Sequence, residues 1–241
     1  MTDPASVCAE IVRVARLLRV RNLVVGTSGN VGARLADGRI AITPASMDYE
    51  EMTPDDVVIV EPDGSPSEGR HVPSSELAIH VAIFAARPDV QAIVHTHSPF
   101  ATTFSAARRE IPAAHYVLAL LVAPGRDTLR VAPYATFGTD ELARNAVATL
   151  GSDQAVLLAN HGAIAVGRSL VSALGRAERV EEVAMLAWRA EQIGGATLLD
   201  AEELDRVRAQ MARFPPQAAR DLPDDPAAEH CASTSGIDSR L

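Results

Sequence analysis

Lysine is absent from the 241 residues; all 22 basic side chains are arginine. A guanidinium stays protonated and is no nucleophile, so this chain cannot form a lysine Schiff base with a carbonyl substrate. Cysteine is nearly absent as well. Cys8 and Cys231 lie near opposite ends, make no disulfide framework and fit a reducing compartment. Positive charge is in deficit, with 31 acidic residues giving a net charge of −9. That argues against a sequence-independent nucleic-acid binder, although a small site can still carry a local positive field for an anionic substrate. Long apolar runs are missing too, so no membrane span is expected. At the N-terminus Arg13, Arg16, Arg19 and Arg21 interrupt the apolar residues, which reads as an amphipathic helix rather than a signal peptide. A soluble cytoplasmic protein with no nucleic-acid or membrane partner is the expectation.

What is present is ordinary globular chemistry, 47% hydrophobic and 22% charged. Apolar residues at Val7, Ile11, Val14, Leu17 and Leu18 predict a helix over 5–20. GTSGNVGAR (26–34) reads as a glycine-rich turn, RIAIT (39–43) and DVVIV (56–60) as strands, and PDGSPSEG as a polar loop or hairpin tip. Residues 73–88 predict a helix capped by Ser74 or Ser75. QAIVH, LRVAPYA and AVLLAN predict strands, and HGAIAVG adds one more after a tight turn. Helices are expected from Ser98, over 139–150, over 169–193 and over 201–213. The elements mix without strict β-α-β alternation. This predicts one three-layer α/β/α domain over 1–214, with a largely antiparallel central sheet and helices on both faces. Residues 215–241, rich in Pro, Ala, Asp and Ser, read as a mobile tail.

The stretch AIVHTHSP places His95 and His97 with strand spacing, so both imidazoles project to one face. Neutral imidazoles bind zinc and similar ions, and further ligands usually come from elsewhere in the chain. His161, in LLANHGAIAV, also follows an apolar strand and then meets a glycine; Glu76, in PSSEL, opens a helix. Each alone is ordinarily a capping or hydrogen-bonded residue. Together they match the three-nitrogen, one-carboxylate set of catalytic zinc. His80, one turn after Glu76, could orient that carboxylate, though packing is its plainer role. His71, His115 and His230 receive no role. GTSGN is too short for a nucleotide fingerprint, but its backbone N–H groups and Asn30 could form an anion nest. Ser74 and Ser75 lie at a helix start, where a phosphate is favoured.

The segments GTSGNV, ITP, YEEMTPDDVV, PSSE, RPDVQAIVHTHSP, IPAAHY, APYATFGTDEL and NHGAIAVG run in order from Gly26 to Gly167. Their pattern resembles the class II aldolase/adducin family, with IPAAHY and APYATFGT pointing to its fuculose-phosphate aldolase branch. The resemblance implies a metal-dependent aldolase that cleaves a ketose 1-phosphate, such as L-fuculose 1-phosphate, reversibly to dihydroxyacetone phosphate and an aldehyde. It implies zinc, or Mn2+ or Co2+, on His95, His97 and His161. Glu76 would be the fourth ligand and the catalytic acid/base. Gly29, Asn30, Ser74 and Ser75 would hold the substrate phosphate together with the loop at Ala45 and Ser46. Tyr116 would reach the site from a neighbouring subunit of a homotetramer, and Phe137 would shape the aldehyde pocket. The family's loop typically reads Thr-Pro-Thr/Ser-Gly, where this chain has Thr43-Pro44-Ala45-Ser46. A tyrosine in the family's C-terminal segment is also missing, with Phe214 as a candidate replacement. Related scaffolds carry epimerases, a dehydratase, decarboxylases and the non-enzymatic adducin head, which should lack the metal ligands.

Overall fold

The computed structural model describes residues 3–214. Helix α1 (Pro4–Val20) starts with proline in its first turn, where a missing N–H costs nothing. Strands β1 (Asn30–Arg34), β2 (Ile40–Ile42), β3 (Val58–Val60) and β4 (Pro66–Glu68) follow, then α2 (Leu77–Ala86), β5 (Ala92–Thr96) and α3 (Pro99–Ala107). The pair β6 (Ile111–Pro112) and β7 (Thr128–Leu129) flanks a 3-10 turn at Tyr116–Leu120. The chain continues through β8 (Val131–Ala132), α4 (Asp140–Leu150), β9 (Ala155–Leu158), β10 (Gly162–Gly167), α5 (Leu170–Glu191) and α6 (Ala201–Arg213).

Eight strands form one sheet in the order β4-β3-β2-β1-β5-β10-β9-β8. Every pairing is antiparallel except β8 with β9. The expected largely antiparallel sheet is therefore present. Period-two alternation splits its side chains between two cores. Val31, Val94, Leu157 and Ala165 meet Ile11, Leu18, Leu174 and Val180 of α1 and α5 on one face. Ile42, Ile93, Val156 and Ile164 meet Ile79, Ile83, Phe84, Leu142 and Ala146 of α2 and α4 on the other. Each such buried aliphatic contributes roughly 1.5–3 kcal/mol before the entropy of ordering is subtracted. The central strands β1, β5 and β10 are thus clamped from both sides, and they carry the site.

Three local expectations are corrected. Only the first half of GTSGNVGAR is a turn; residues 30–34 are β1, with four of its five residues buried between β2 and β5. Two glycines and an asparagine hide strand character, which the sheet environment imposes. LRVAPYA is not one strand: Leu129 pairs with β6, whereas Val131 and Ala132 join β9. Helix α2 begins at Leu77, with Glu76 rather than Ser74 or Ser75 at its cap position. Pro73 and Ser74 are instead tied to the 43–45 segment by an isolated bridge to Pro44 and by Ser74 N–H donating to Thr43 O at 3.1 Å. Tertiary pairing there outweighs the local capping signal. No helix among the described residues is long and apolar enough to cross a membrane. The tail expected over 215–241 lies outside the described residues.

Candidate active site

His95 stands near the end of β5 in the middle of the sheet, fully buried on the α2/α4 side. Its Nδ1 lies 2.9 Å from Ala163 O on neighbouring β10. Donation there leaves Nε2 with its lone pair free. His97 follows two residues later, its backbone N–H held by Leu23 O at 3.1 Å. His161 sits in the β9–β10 turn, where Asn160 takes the left-handed region at φ 54°. Ser105 of α3 braces that turn by accepting from Asn160 N–H and His161 N–H, each at 2.9 Å. Glu76 enters from the start of α2. One carboxylate oxygen, Oε2, lies 3.0 Å from His95 Nε2, and Oε1 lies 3.2 Å from His161 Nε2. His95 Nε2 and His97 Nε2 are 2.9 Å apart.

The electrostatics are those of a site waiting for a cation. Burial, then the charge of His95 and of His161, pushes His97 down to about 3. Burial and His95 push His161 down to about 4. Both are neutral near pH 7, as metal ligands must be. Burial opposes ionisation of Glu76, but His95 and His161 together with hydrogen bonds from His95 and Asn30 hold its carboxyl below the usual range. His95, whose burial is outweighed by the Glu76 charge, is raised.

The donor set fits such an ion. One ligand atom from each of Glu76, His95, His97 and His161 lies within 4.8 Å of all the others. Glu76 Oε1 is buried without a hydrogen-bond partner, a costly arrangement unless something else satisfies it. The sulfur-free set suits a catalytic rather than a closed structural site.

The cluster opens onto a cavity of about 320 Å³. One wall comprises Gly29, Asn30, Ala45, Ser46, Ser74 and Ser75; Tyr134, Ala135 and Phe137 also line the cavity. The bridge between Pro44 and Pro73 brings the 43–46 and 73–76 loops side by side. Tyr49, buried beneath, donates from its hydroxyl to Gly29 O at 2.7 Å. Gly29 has φ 78°, and a Cβ there would sit 2.7 Å from His95 O, so only glycine lets this loop approach β5. Ser46, standing where the resemblance expects glycine, takes φ 56°. The loop thus keeps a left-handed backbone without the residue that adopts it most cheaply.

Most expected residues are brought together: the four ligands and the six loop residues meet, and Phe137 joins them at 65% exposure. Tyr116 does not line this cavity and stands 48% exposed on its 3-10 turn. Phe214 is exposed at the end of α6. Residue reasoning missed Tyr134, Ala135 and Asn160 as lining residues. Asn160 directly precedes His161 in NHG, and Tyr134 lies in APYATFG, so adjacency to marked motifs was the available signal.

The family model for class II aldolase and adducin N-terminal domains matches residues 9–188. The chain belongs to this family. It is a class II aldolase, a metal-dependent lyase of a family acting on phosphorylated sugars. A 5-methylthioribulose-1-phosphate/5-deoxyribulose-1-phosphate aldolase of Rhodospirillum rubrum is 42% identical over 217 residues, 90% of this chain and 95% of that protein. An L-fuculose phosphate aldolase of Escherichia coli is 42% identical over 161 residues, 67% of this chain and 73% of that protein. Among solved structures, an L-fuculose 1-phosphate aldolase superposes with TM-score 0.81 at 34% identity, covering 86% of this chain and 96% of that one.

Proposed function

We propose that this aldolase uses zinc to cleave a deoxyketose 1-phosphate reversibly into dihydroxyacetone phosphate and an aldehyde. The observation that carries the reading is the opening of the Glu76, His95, His97 and His161 cluster onto the cavity lined by two polar loops. Three imidazoles would hold the ion, with Mn2+ or Co2+ as replacements. A divalent ion, when bound, stabilises the enediolate charge left when the bond between C3 and C4 breaks. Gly29, Asn30, Ala45, Ser46, Ser74 and Ser75 would bind the phosphate and fix the triose half. Glu76 is the acid/base that moves a proton at the enediolate carbon. Tyr116, supplied by a neighbouring subunit of a homotetramer, would move the proton on the aldehyde-side oxygen.

Both relatives' substrates belong to one chemical class. L-Fuculose 1-phosphate, 5-deoxyribulose 1-phosphate and the methylthio sugar all yield an aldehyde ending in a methyl or methylthio group. Tyr134, Ala135 and Phe137 support such an aldehyde, because an apolar terminus loses no hydrogen bonds against them. The proposal keeps the cytoplasmic setting expected from the scarcity of cysteine.

A cleavage screen over ketose 1-phosphates tests the reading. Release of dihydroxyacetone phosphate from these deoxy sugars is expected. Epimerisation of L-ribulose 5-phosphate with no triose phosphate from any sugar would place the chain with the epimerases instead.

A further inference from the structure

Helix α2 buries four residues against the sheet: Ile79, His80, Ile83 and Phe84. Three are apolar, and the histidine is fully buried among them. Burial, followed by the charge of His95, pushes His80 down to about 3, so its ring is neutral. Its Nε2 lies 2.6 Å from Asn30 Oδ1, and Asn30 Nδ2 donates to Glu76 Oε2 at 2.9 Å. Its other nitrogen, Nδ1, is buried with no hydrogen-bond partner.

The direction of this chain follows from its ends. An ionised carboxylate can only accept, so Asn30 must turn its amide NH2 toward Glu76. The amide oxygen then faces His80, which must donate from Nε2. A neutral imidazole with hydrogen on Nε2 has none on Nδ1, and Nδ1 is the atom left bare. An unbraced asparagine could flip and oppose its oxygen to the carboxylate, since the two ends are nearly the same size.

One further oddity falls into place. Gly32 lies inside β1, paired with Ile42 and Ile93, where a glycine weakens a strand. A Cβ there would sit 2.4 Å from His80 Nδ1. The glycine makes room for the ring. A polar side chain on an apolar helix face, a bare buried nitrogen and a strand glycine all cost stability, and one role accounts for all three.

We propose that His80 is a positioning residue that fixes the direction of the Asn30 amide and so holds Glu76 as an oriented hydrogen-bond acceptor. The inference rests on the reading of Glu76 as the proton-transferring carboxylate.

Two kinds of measurement test it on the full-length protein. Nitrogen NMR of 15N-histidine-labelled wild type should show His80 neutral, with hydrogen on Nε2, both before and after zinc is added. A charged ring or hydrogen on Nδ1 would overturn the proposal without reference to activity. Among variants, His80→Leu should melt no lower than wild type and retain zinc by elemental analysis. Its kcat should fall about 10- to 100-fold with little change in KM. His80→Gln, whose amide can donate from nearly the place of Nε2, should recover most of that loss. Wild-type kcat in His80→Leu, or equal losses in both variants, would contradict the assignment. If wild type cleaves no ketose 1-phosphate, the functional reading fails, and the NMR result still decides the orientation of Asn30. Should His80→Leu not fold, His80→Gln and the wild-type spectrum carry the test.

Discussion

In the proposed reaction Glu76 is the side chain on which the chemistry turns; it touches both the histidine cluster and Asn30 while lining the cavity. Glu76→Gln keeps its size and leaves three imidazoles for the ion. Zinc content should stay near wild type while kcat falls by roughly 10²–10⁴, the usual worth of a positioned general acid/base. Metal-loaded Glu76→Gln turning over at the wild-type rate would remove the residue from its role. At this scale the sequence was highly legible. His95 and His97 share a face by strand periodicity alone, and the glycine after His161 marked a turn. Tyr134 and Asn160 were marked only by their place beside the APYATFG and NHG motifs, because the residue type itself does not say which cavity it lines. The His80 contact was visible as a helical spacing from Glu76, but its partner Asn30 lies 50 residues away, and only the packing of α2 over β1 brings them together.

Elements deliver these residues, and their ends matter more than their middles. Strand β5 carries His95, with His97 just beyond its end. The β9–β10 turn delivers His161, and the start of α2 delivers Glu76. Strand β1 was missed as a strand because Asn30, Gly32 and the glycine before them have low strand propensity, and the pairing with β2 and β5 imposes the extended backbone. The displaced start of α2 has the same origin: Ser74 is committed to Thr43, across the loop that lines the cavity. In that loop Ser46 pays for its left-handed backbone, and Ser46→Gly should relieve it. A stability gain of up to about 1 kcal/mol is expected, seen as a higher denaturation midpoint at constant slope. A clear loss of stability would mean that the Ser46 side chain contributes more than its backbone costs.

At the scale of the whole molecule, the site makes stability depend on pH. His80, His97 and His161 lie at about 3, 3 and 4 in the folded protein, against about 6.5 in an unfolded chain. Depressed folded values mean the unfolded state takes up protons first, so their contribution is full above about 6.5 and declines toward 3–4. His95 is raised and works in the opposite sense, but it is one group against three. Metal-free protein should therefore lose on the order of 5 kcal/mol between pH 7 and pH 5, or roughly 10–20 °C in melting temperature. A melting temperature that is flat or rises on acidification would contradict these neutral histidines. The eight-stranded sheet was legible as a largely antiparallel layer between helices, since short strands and helices alternate irregularly along the chain. Its strand order was not, because β5 pairs with β1 and β10, both distant in sequence.

The central claim is that the three histidines and Glu76 hold the ion that makes aldol cleavage possible. The most direct test follows dihydroxyacetone phosphate release from 5-deoxyribulose 1-phosphate or L-fuculose 1-phosphate by wild type and by His95→Ala, with zinc measured in each sample. Wild type should contain about one ion per chain, lose cleavage on chelation and regain it with added zinc, while His95→Ala should lose metal and cleavage together. Full cleavage by chelated, zinc-free protein, or unchanged zinc in His95→Ala, would contradict the account.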